Sequence, residues 1–158
     1  MNIIEGVQGI VLTINTDHRG SLIELFRNDI LQNYINNVIP SMGYLSMTNP
    51  GYERGPHEHK EQTDIFVFVG PGTFELWLWD NRKDSSTYTN NIIIECGIYN
   101  PMLWIVPPGV VHGYKNISHN IGMVLNFPDK LYKGIGKLEE VDEIRHELNE
   151  NTPYIMKR

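Results

Sequence analysis

The length, composition and charge of the chain limit the classes of protein to which it can belong. Its 158 residues, 41% of them hydrophobic, predict a single globular domain with a buried core. The net charge of −6, without any lysine/arginine block, argues against a nucleic-acid partner. The single cysteine, Cys96, excludes an internal disulfide and fits a reducing cytosol. The N-terminus lacks the pattern of a signal peptide, and no apolar run approaches the roughly 18 residues that span a bilayer. We therefore expect a cytoplasmic protein without a membrane partner.

Short apolar runs alternate along the chain with Gly, Pro and Asn turns, which is typical of β-strands. Residues 27–37 predict one helical turn or a loop. In the run over 74–80, Phe74, Leu76 and Leu78 share one face, so we expect a half-buried strand. Strands are predicted over residues 7–14, 21–26, 38–48, 65–69, 74–80, 92–95, 102–106 and 123–127, with another beginning near His112.

Short strands at this spacing, with little helical periodicity, predict an antiparallel sandwich or barrel, and among these we favour a jelly roll. The final segment, residues 133–158, is polar and charged and has only a weak helical spacing. We expect this segment to pack as a tail across the barrel or across a partner subunit.

Chemically versatile side chains are concentrated in residues 51–64, directly before an apolar run. His57 and His59 are two residues apart, so on a strand their side chains would point the same way. His112 follows a Pro/Gly turn at the point where a new strand is expected. The sequence therefore predicts two strand-borne clusters that face each other.

The spacing of these residues resembles the two signature motifs of the cupin superfamily. The first motif consists of Gly51, His57, His59, Asp64 and the Gly-Pro-Gly turn at 70–72, with aspartate where glutamate is usual. The second consists of Pro107, Gly109, His112 and Asn116. This resemblance implies an all-β cupin fold, which is a double-stranded β-helix or jelly-roll barrel. We expect one cupin domain over residues 1–158, with a core at about 7–127 and a short polar C-terminal tail at about 128–158.

Four further motifs resemble the dTDP-4-dehydrorhamnose 3,5-epimerase family. They are Asp17-x-Arg19-Gly-x-x-x-Glu24-x-Phe26, Arg54-Gly-x-His57, Asp80-x-Arg82-x-x-Ser85-x-Thr87 and Pro107-x-Gly109-x-x-His112-Gly113. This resemblance implies a homodimeric isomerase that epimerises a nucleotide-linked 4-keto-6-deoxyhexose in deoxysugar and polysaccharide biosynthesis. No organic cofactor is expected, because the carbonyl group of the substrate serves as the electron sink.

The family resemblance also implies roles for individual residues. His57 is implied as the base that removes the proton beside the ketone, and an imidazole with a pKa of about 6.5 suits that task. Arg54 and Arg19 are implied to hold the diphosphate, since guanidinium groups form paired hydrogen bonds to phosphate oxygens. Glu24 is expected to seat the nucleotide. The remaining predicted substrate-binding residues are Gln62 and His112.

Three positions depart from the family pattern. The catalytic tyrosine of the family falls near Leu125, its lysine corresponds to Asp64, and no motif matches its C-terminal aspartate. We therefore predict Tyr132 as the catalytic acid, with Tyr114 as another possibility, although neither occupies the matched position. A chain with the base and no acid on the opposite face would epimerise one carbon, isomerise a keto group or only bind the sugar.

The second histidine of the cluster, His59, suggests two alternatives. The set His57, His59, Asp64 and His112 suits zinc, iron, manganese or nickel, which would indicate a metal-dependent cupin enzyme. The run Arg-Gly-x-His-x-His followed by lysine is also similar to sugar-nucleotide ketoisomerases, which work without metal. In that case His59 is a second acid/base group. We predict catalytic roles for His57 and His59 without a cofactor, and a divalent metal as the alternative.

Overall fold

Two antiparallel five-stranded sheets form the body of the protein. The computed structural model describes residues 4–33 and 38–157. Helical structure in these residues is limited to α1 (Asn28–Leu31) and two 3-10 turns, Ile135–Lys137 and His146–Leu148. The strands are β1 (Gln8–Val11), β2 (Ile14–Asp17), β3 (Gly20–Ile23), β4 (Tyr44–Thr48), β5 (Glu53–Glu58), β6 (Asp64–Phe68), β7 (Thr73–Asp80), β8 (Asn91–Gly97), β9 (Met102–Val106), β10 (Val110–Asn116), β11 (Gly122–Asn126) and β12 (Ile144–Arg145).

Strands from distant parts of the chain are neighbours within each sheet. The first sheet has the order β1-β9-β6-β11-β4 and the second has the order β12-β5-β10-β7-β8, while β2 and β3 form a separate hairpin. All of these pairings are antiparallel. This architecture confirms the predicted all-β cupin fold.

The core lies between the inner faces of the two sheets. Its main cluster joins Phe66 and Phe68 of β6 with Phe74 and Leu76 of β7 and Tyr114 of β10. The alternate residues of β6 pack into a second cluster with β9, α1 and the segment that follows β1. The strand β6 is therefore buried on both faces, which explains its continuous apolar sequence.

Several predicted strands differ from the observed ones. The strand predicted over 38–48 is shorter, since β4 begins only at Tyr44, and the strand expected to carry His57 and His59 ends at Glu58, so it includes His57 but not His59. One helical turn or a loop was predicted for residues 27–37. Residues 28–31 of this stretch form α1, and residues 34–37 lie outside the described residues. The predicted half-burial of β7 is wrong. Trp77 on its other face is 7% exposed, and its ring stacks on that of Trp79, which contacts Tyr154.

The predicted C-terminal tail extends the second sheet. Strand β12 pairs with β5, placing Ile144 opposite Glu58 and Arg145 opposite His57. Further along, Met156 is buried and packs over Gly113, where a Cβ atom would lie 2.8 Å from the methionine sulfur. The tail therefore belongs to the folded body. No helix in the described ranges is long and apolar enough to cross a membrane.

Candidate active site

A cavity of about 1310 Å³ opens at one end of the barrel. Its walls come from β4 of the first sheet, β5 and β10 of the second sheet, and the chain after β11. Of the predicted site residues, those that line the cavity are Arg54, His57, His59, Gln62, Tyr114 and Tyr132. The structure therefore brings together most of the residues that the motifs indicated.

The two histidines of the separate motifs meet at the cavity wall. His57 of β5 is the direct cross-strand partner of His112 of β10, and their Nε2 atoms are 3.1 Å apart. The Nδ1 atom of His112 lies 2.9 Å from the carbonyl oxygen of Val110, which accepts the hydrogen bond from this nitrogen.

A fully buried carboxylate, Asp64, lies behind these histidines at the start of β6. Its Oδ1 atom accepts hydrogen bonds from the side-chain amides of Gln62 and Asn126, both at 2.9 Å. Its Oδ2 atom lies 3.2 Å from Nε2 of His59 and 3.1 Å from Nε2 of His112. Burial by itself would raise the pKa of Asp64, but the two imidazoles outweigh burial and hold that pKa well below its usual range.

The environment separates the pKa values of His57 and His59. Burial, reinforced by His112, lowers the pKa of His57 well below 6.5. Burial also disfavours the charged form of His59, but contact with Asp64 outweighs it and raises the pKa of His59 to about 9. At neutral pH, His57 is therefore a neutral proton acceptor beside a cationic His59. Neighbouring groups with separated pKa values are typical of acid/base sites.

Two predicted substrate-binding residues have protein partners at the cavity wall. The amide nitrogen of Gln62 donates to Asp64 and lies 3.2 Å from Nε2 of His59, so Gln62 orients the cluster. Arg54 donates one hydrogen bond to the hydroxyl of Thr48 and another to the carbonyl of Met47, at 3.0 and 2.7 Å. Because guanidinium carries five N–H groups, Arg54 keeps others for a ligand.

Among the described residues that line this cavity, Arg19 and Glu24 are absent. Arg19 lies in the turn between β2 and β3, pairs with Asp17 at 2.6 Å and has a side chain that is 78% exposed. The side chain of Glu24 is 60% exposed and lies 3.9 Å from Arg27. Their roles in holding the diphosphate and the nucleotide therefore stay predictions.

Two carboxylates at the site were not found from the sequence. Asp142 accepts backbone N–H groups of Lys60, Glu61 and Gln62, each at 2.9 Å, and its carbonyl oxygen contacts Nδ1 of His59. Glu143 follows it, with Oε1 3.8 Å from Nε2 of His57. No motif marked these residues, and the pairing of β12 with β5 brings them to the site.

The strand position expected for the tyrosine of the family is not available to the cavity. Leu125 packs into the second apolar cluster, on the opposite face of β11. Its neighbour Asn126 is buried and bonded to Asp64 and to the hydroxyl of Tyr44. Tyr44 lines the cavity and was not singled out from the sequence.

Residues 2–135 match the family model described as dTDP-4-dehydrorhamnose 3,5-epimerase. The chain belongs to this family. The chain is therefore an isomerase of the sugar-nucleotide epimerase class, which confirms the predicted family and activity class. The matched region ends before Asp142 and Glu143, so these two carboxylates lie in a segment that the family model does not cover.

Similar proteins come from archaea and bacteria. The chain is 36% identical over 135 residues to the probable low-salt glycan biosynthesis epimerase Agl13 of Haloferax volcanii, covering 85% of this chain and 81% of that protein. It is 31% identical over 131 residues to the spore coat polysaccharide biosynthesis protein SpsL of Bacillus subtilis, covering 82% of each. The crystal structure of dTDP-4-dehydrorhamnose 3,5-epimerase from Sulfolobus tokodaii superposes with a TM-score of 0.70 at 29% identity, covering 81% of this chain and 72% of that one.

The substitution Asp142→Ala tests whether the C-terminal segment holds the site together. It removes the acceptor of three backbone hydrogen bonds, and bonds to a charged group contribute more than neutral ones. We expect the free energy of unfolding at pH 7, measured by urea denaturation, to fall by about 2–3 kcal/mol. The matched variant Asp84→Ala removes an exposed carboxylate and should change this free energy by less than about 0.5 kcal/mol.

The stability difference between wild type and Asp142→Ala should also depend on pH. Burial would raise the pKa of Asp142, but the backbone N–H groups of residues 60–62 outweigh burial and lower this pKa below 3.8. The stabilisation is therefore present above about pH 3.8 and is lost as the pH falls through the lowered pKa. The stability difference between wild type and Asp142→Ala should shrink in acid. Equal stabilities at pH 7 would contradict the role given to Asp142.

Proposed function

We propose that the protein epimerises a nucleotide-diphosphate-linked 4-keto-6-deoxyhexose in glycan or polysaccharide biosynthesis, with His57 as the base. The observation that carries this proposal is the geometry at the wall of the open cavity, where His57 contacts His112 and His59 contacts the buried Asp64. This environment lowers the pKa of His57 and raises that of His59. The names of Agl13 and SpsL, which refer to glycan and polysaccharide biosynthesis, support the proposed pathway class.

The proposed chemistry needs a base and a positive charge near the ketone. His57 accepts the proton from the carbon beside the carbonyl, and the electron pair of the broken C–H bond moves to the ketone oxygen as an enolate. His59 lines the cavity as a cation and supplies a counter-charge where the family's lysine is replaced by Asp64. His59 is charged because Asp64 raises its pKa. Asp64, which stands at the position of the family's lysine, therefore supports this chemistry indirectly.

Basic side chains at the cavity support binding of a diphosphate. Arg54 and Arg145 both line it, and Arg145 is opposite His57 in the pairing of β12 with β5. We propose that these arginines bind the phosphate oxygens. Among the described residues, Lys130, Lys133 and Lys137 also line the cavity.

We propose a homodimer, located in the cytoplasm, in which Arg19 and Glu24 reach the cavity of a second copy. The hairpin formed by β2 and β3 stands apart from the two main sheets. Apolar side chains are exposed on it and on the neighbouring edge strand, with Leu22 at 67% and Val11 at 70%. The buried Cys96 needs no oxidising compartment. A solution mass of one chain by light scattering would contradict the dimer.

Proton exchange tests the proposed reaction directly. The protein is mixed with dTDP-4-keto-6-deoxyglucose and a chelator in deuterated water. We expect deuterium to replace the sugar protons beside the ketone, which proton NMR measures as the loss of their signals. His57→Gln should slow this exchange by about 100-fold or more, since general-base catalysis contributes at least that much. His119→Gln alters an exposed histidine and should leave the rate unchanged.

The pattern of exchange separates the proposed function from its neighbours. Exchange at carbons 3 and 5 indicates a double epimerase, and exchange at one carbon indicates a single-carbon epimerase or a ketoisomerase. Saturable nucleotide binding without any exchange would indicate a sugar-nucleotide binder and overturn the proposal. Exchange at the full rate in His57→Gln would contradict the assignment of the base.

The activity should also depend on pH in a specific way. Because the pKa of His57 lies well below 6.5, kcat/KM should stay flat as the pH falls from about 8 through 6.5. Because the pKa of His59 is about 9, kcat/KM should decline as the pH rises past that value and the ring loses its charge. The pH profile is measured with chelator present. An inflection near pH 6.5 would show an unperturbed base.

A metal-dependent enzyme is the second candidate, and one observation favours it. One ligand atom from each of His57, His59, Asp64 and His112 lies within 4.8 Å of the others. Oδ2 of Asp64 is buried and makes no contact of hydrogen-bond geometry with the described residues. The Nδ1 atoms of His59 and His112 contact backbone carbonyls, which directs each Nε2 toward that oxygen. These residues fit a first-row divalent metal, which would polarise a carbonyl group.

The two candidates are separable because a metal ligand cannot also accept the substrate proton through the same nitrogen atom. A metal enzyme should retain near-stoichiometric metal after purification, measured by inductively coupled plasma mass spectrometry, and lose its activity with a chelator. In that case Asp64→Asn should reduce metal content and activity together. Activity that survives complete metal removal would contradict the metal-dependent function and support the epimerase.

A further inference from the structure

The alignment of the two sheets places a tyrosine opposite the base. Asn116 of β10 donates to the carbonyl of Thr48 in β4 at 2.8 Å, and two residues along each strand the hydroxyls of Tyr114 and Ser46 are 2.6 Å apart. Two residues further along each strand, toward the cavity, the same alignment leads to His112 on β10 and Tyr44 on β4. Because His112 is paired with His57, Tyr44 lies on the sheet that faces the base.

The orientation of Asn126 decides which hydrogen bond Tyr44 makes. The Oδ1 atom of Asn126 accepts the backbone N–H of Ile65 at 3.1 Å, so its Nδ2 atom faces the other way. This Nδ2 group donates to Oδ1 of Asp64 at 2.9 Å and to the hydroxyl oxygen of Tyr44 at 2.7 Å. Tyr44 is therefore an acceptor in this contact, and its own proton is left for another partner.

That proton is available to a ligand in the cavity. Within residues 4–33 and 38–157, the O–H group of Tyr44 meets no acceptor. The residue is 44% exposed because its ring lines the open cavity, whereas the hydroxyl is anchored on the buried Asn126. A fixed hydroxyl oxygen with an unused proton is the arrangement that a proton donor needs.

Tyr44 can also take the place of the tyrosine that this chain lacks on β11. Asn126 is the inward-facing residue of β11 beside Leu125, and Tyr44 is its direct cross-strand partner on β4. A phenol hydroxyl thus reaches the inner face of β11 from the neighbouring strand. The side chain that holds it, Asn126, also holds Asp64 and so links the tyrosine to the histidine cluster.

We propose that Tyr44 is the general acid that protonates the sugar carbon on the face opposite His57. This inference rests on the proposed epimerase function. His57 removes the proton from one face, and the electron pair of that C–H bond forms the enolate. The enolate carbon then takes the hydroxyl proton of Tyr44 on the other face, which inverts the carbon. The phenolate regains a proton from water, and the imidazolium of His57 releases its proton to water, so the enzyme is restored.

The other tyrosines at the cavity are less suited to this step. Tyr114 is buried, and because the hydroxyl of Ser46 donates to the carbonyl of Val124, the proton of Tyr114 is directed to Ser46. Tyr132 is half exposed on the segment after β11, with Lys133 6.0 Å from its ring centre. Burial, together with the charge of Asp64, raises the pKa of Tyr44, so its hydroxyl stays protonated at neutral pH.

The substitution Tyr44→Phe removes only the hydroxyl and keeps the ring. In the deuterium experiment with dTDP-4-keto-6-deoxyglucose, we expect the inverted product to form about 100-fold more slowly or worse. Deuterium should still enter at the same carbon with retained configuration, because His57 removes and returns the proton on its own face. A structural role would lower exchange and inversion together. Tyr132→Phe and Tyr114→Phe are matched controls that should keep exchange and inversion coupled.

Each outcome decides for or against Tyr44. Inversion at the wild-type rate in Tyr44→Phe overturns the assignment, and so does a parallel loss of exchange and inversion in a variant with the wild-type melting temperature. Exchange without inversion in Tyr132→Phe would move the role to Tyr132. A wild-type protein that exchanges no proton would overturn the proposed epimerase function itself, whereas an active wild type beside an equally active Tyr44→Phe overturns the role of Tyr44 alone.

Discussion

The burial of one charged carboxylate, Asp64, is the constraint on which the site depends. A carboxylate without solvent is costly unless hydrogen bonds and opposite charge compensate it. Here Gln62 and Asn126 bind one oxygen, and His59 and His112 face the other. These partners come from both sheets and from the loop before β6. The compensation of one buried charge therefore aligns His59, His112 and the Asn126 amide that binds Tyr44.

This carboxylate also determines how a proton and a metal ion compete for the cluster. Asp64 raises the pKa of His59 to about 9, so at neutral pH a metal ion would have to displace a proton from that ring. The lowered pKa of His57 has the opposite effect, because a neutral ring is ready to bind either a proton or a metal. The same four side chains can thus serve proton transfer or metal binding, and the affinity for metal at the working pH selects between them.

The C-terminal segment completes the site from outside the region that the family model covers. By adding β12 to the edge of β5, it gives the backbone of β5 a partner beside His57. Asp142 then fixes the loop that carries His59, and Glu143 brings a second carboxylate toward His57. A short polar sequence can do this because its stability comes from pairing with a preformed edge, not from apolar periodicity.

The sequence by itself determined the fold class and most of the cavity histidines and arginines. Strand β9 was predicted with its observed bounds, and His57 and His112 were identified from motifs whose spacing reflects local strands and turns. Only the tertiary structure placed Asp142, Glu143 and Tyr44 at the cavity. The contacts of His59 with Asp142 and of Tyr44 with Asn126 join residues 83 and 82 positions apart. Alternation and turn residues describe a strand and its immediate neighbours, whereas these contacts depend on which distant strands pair and in what register.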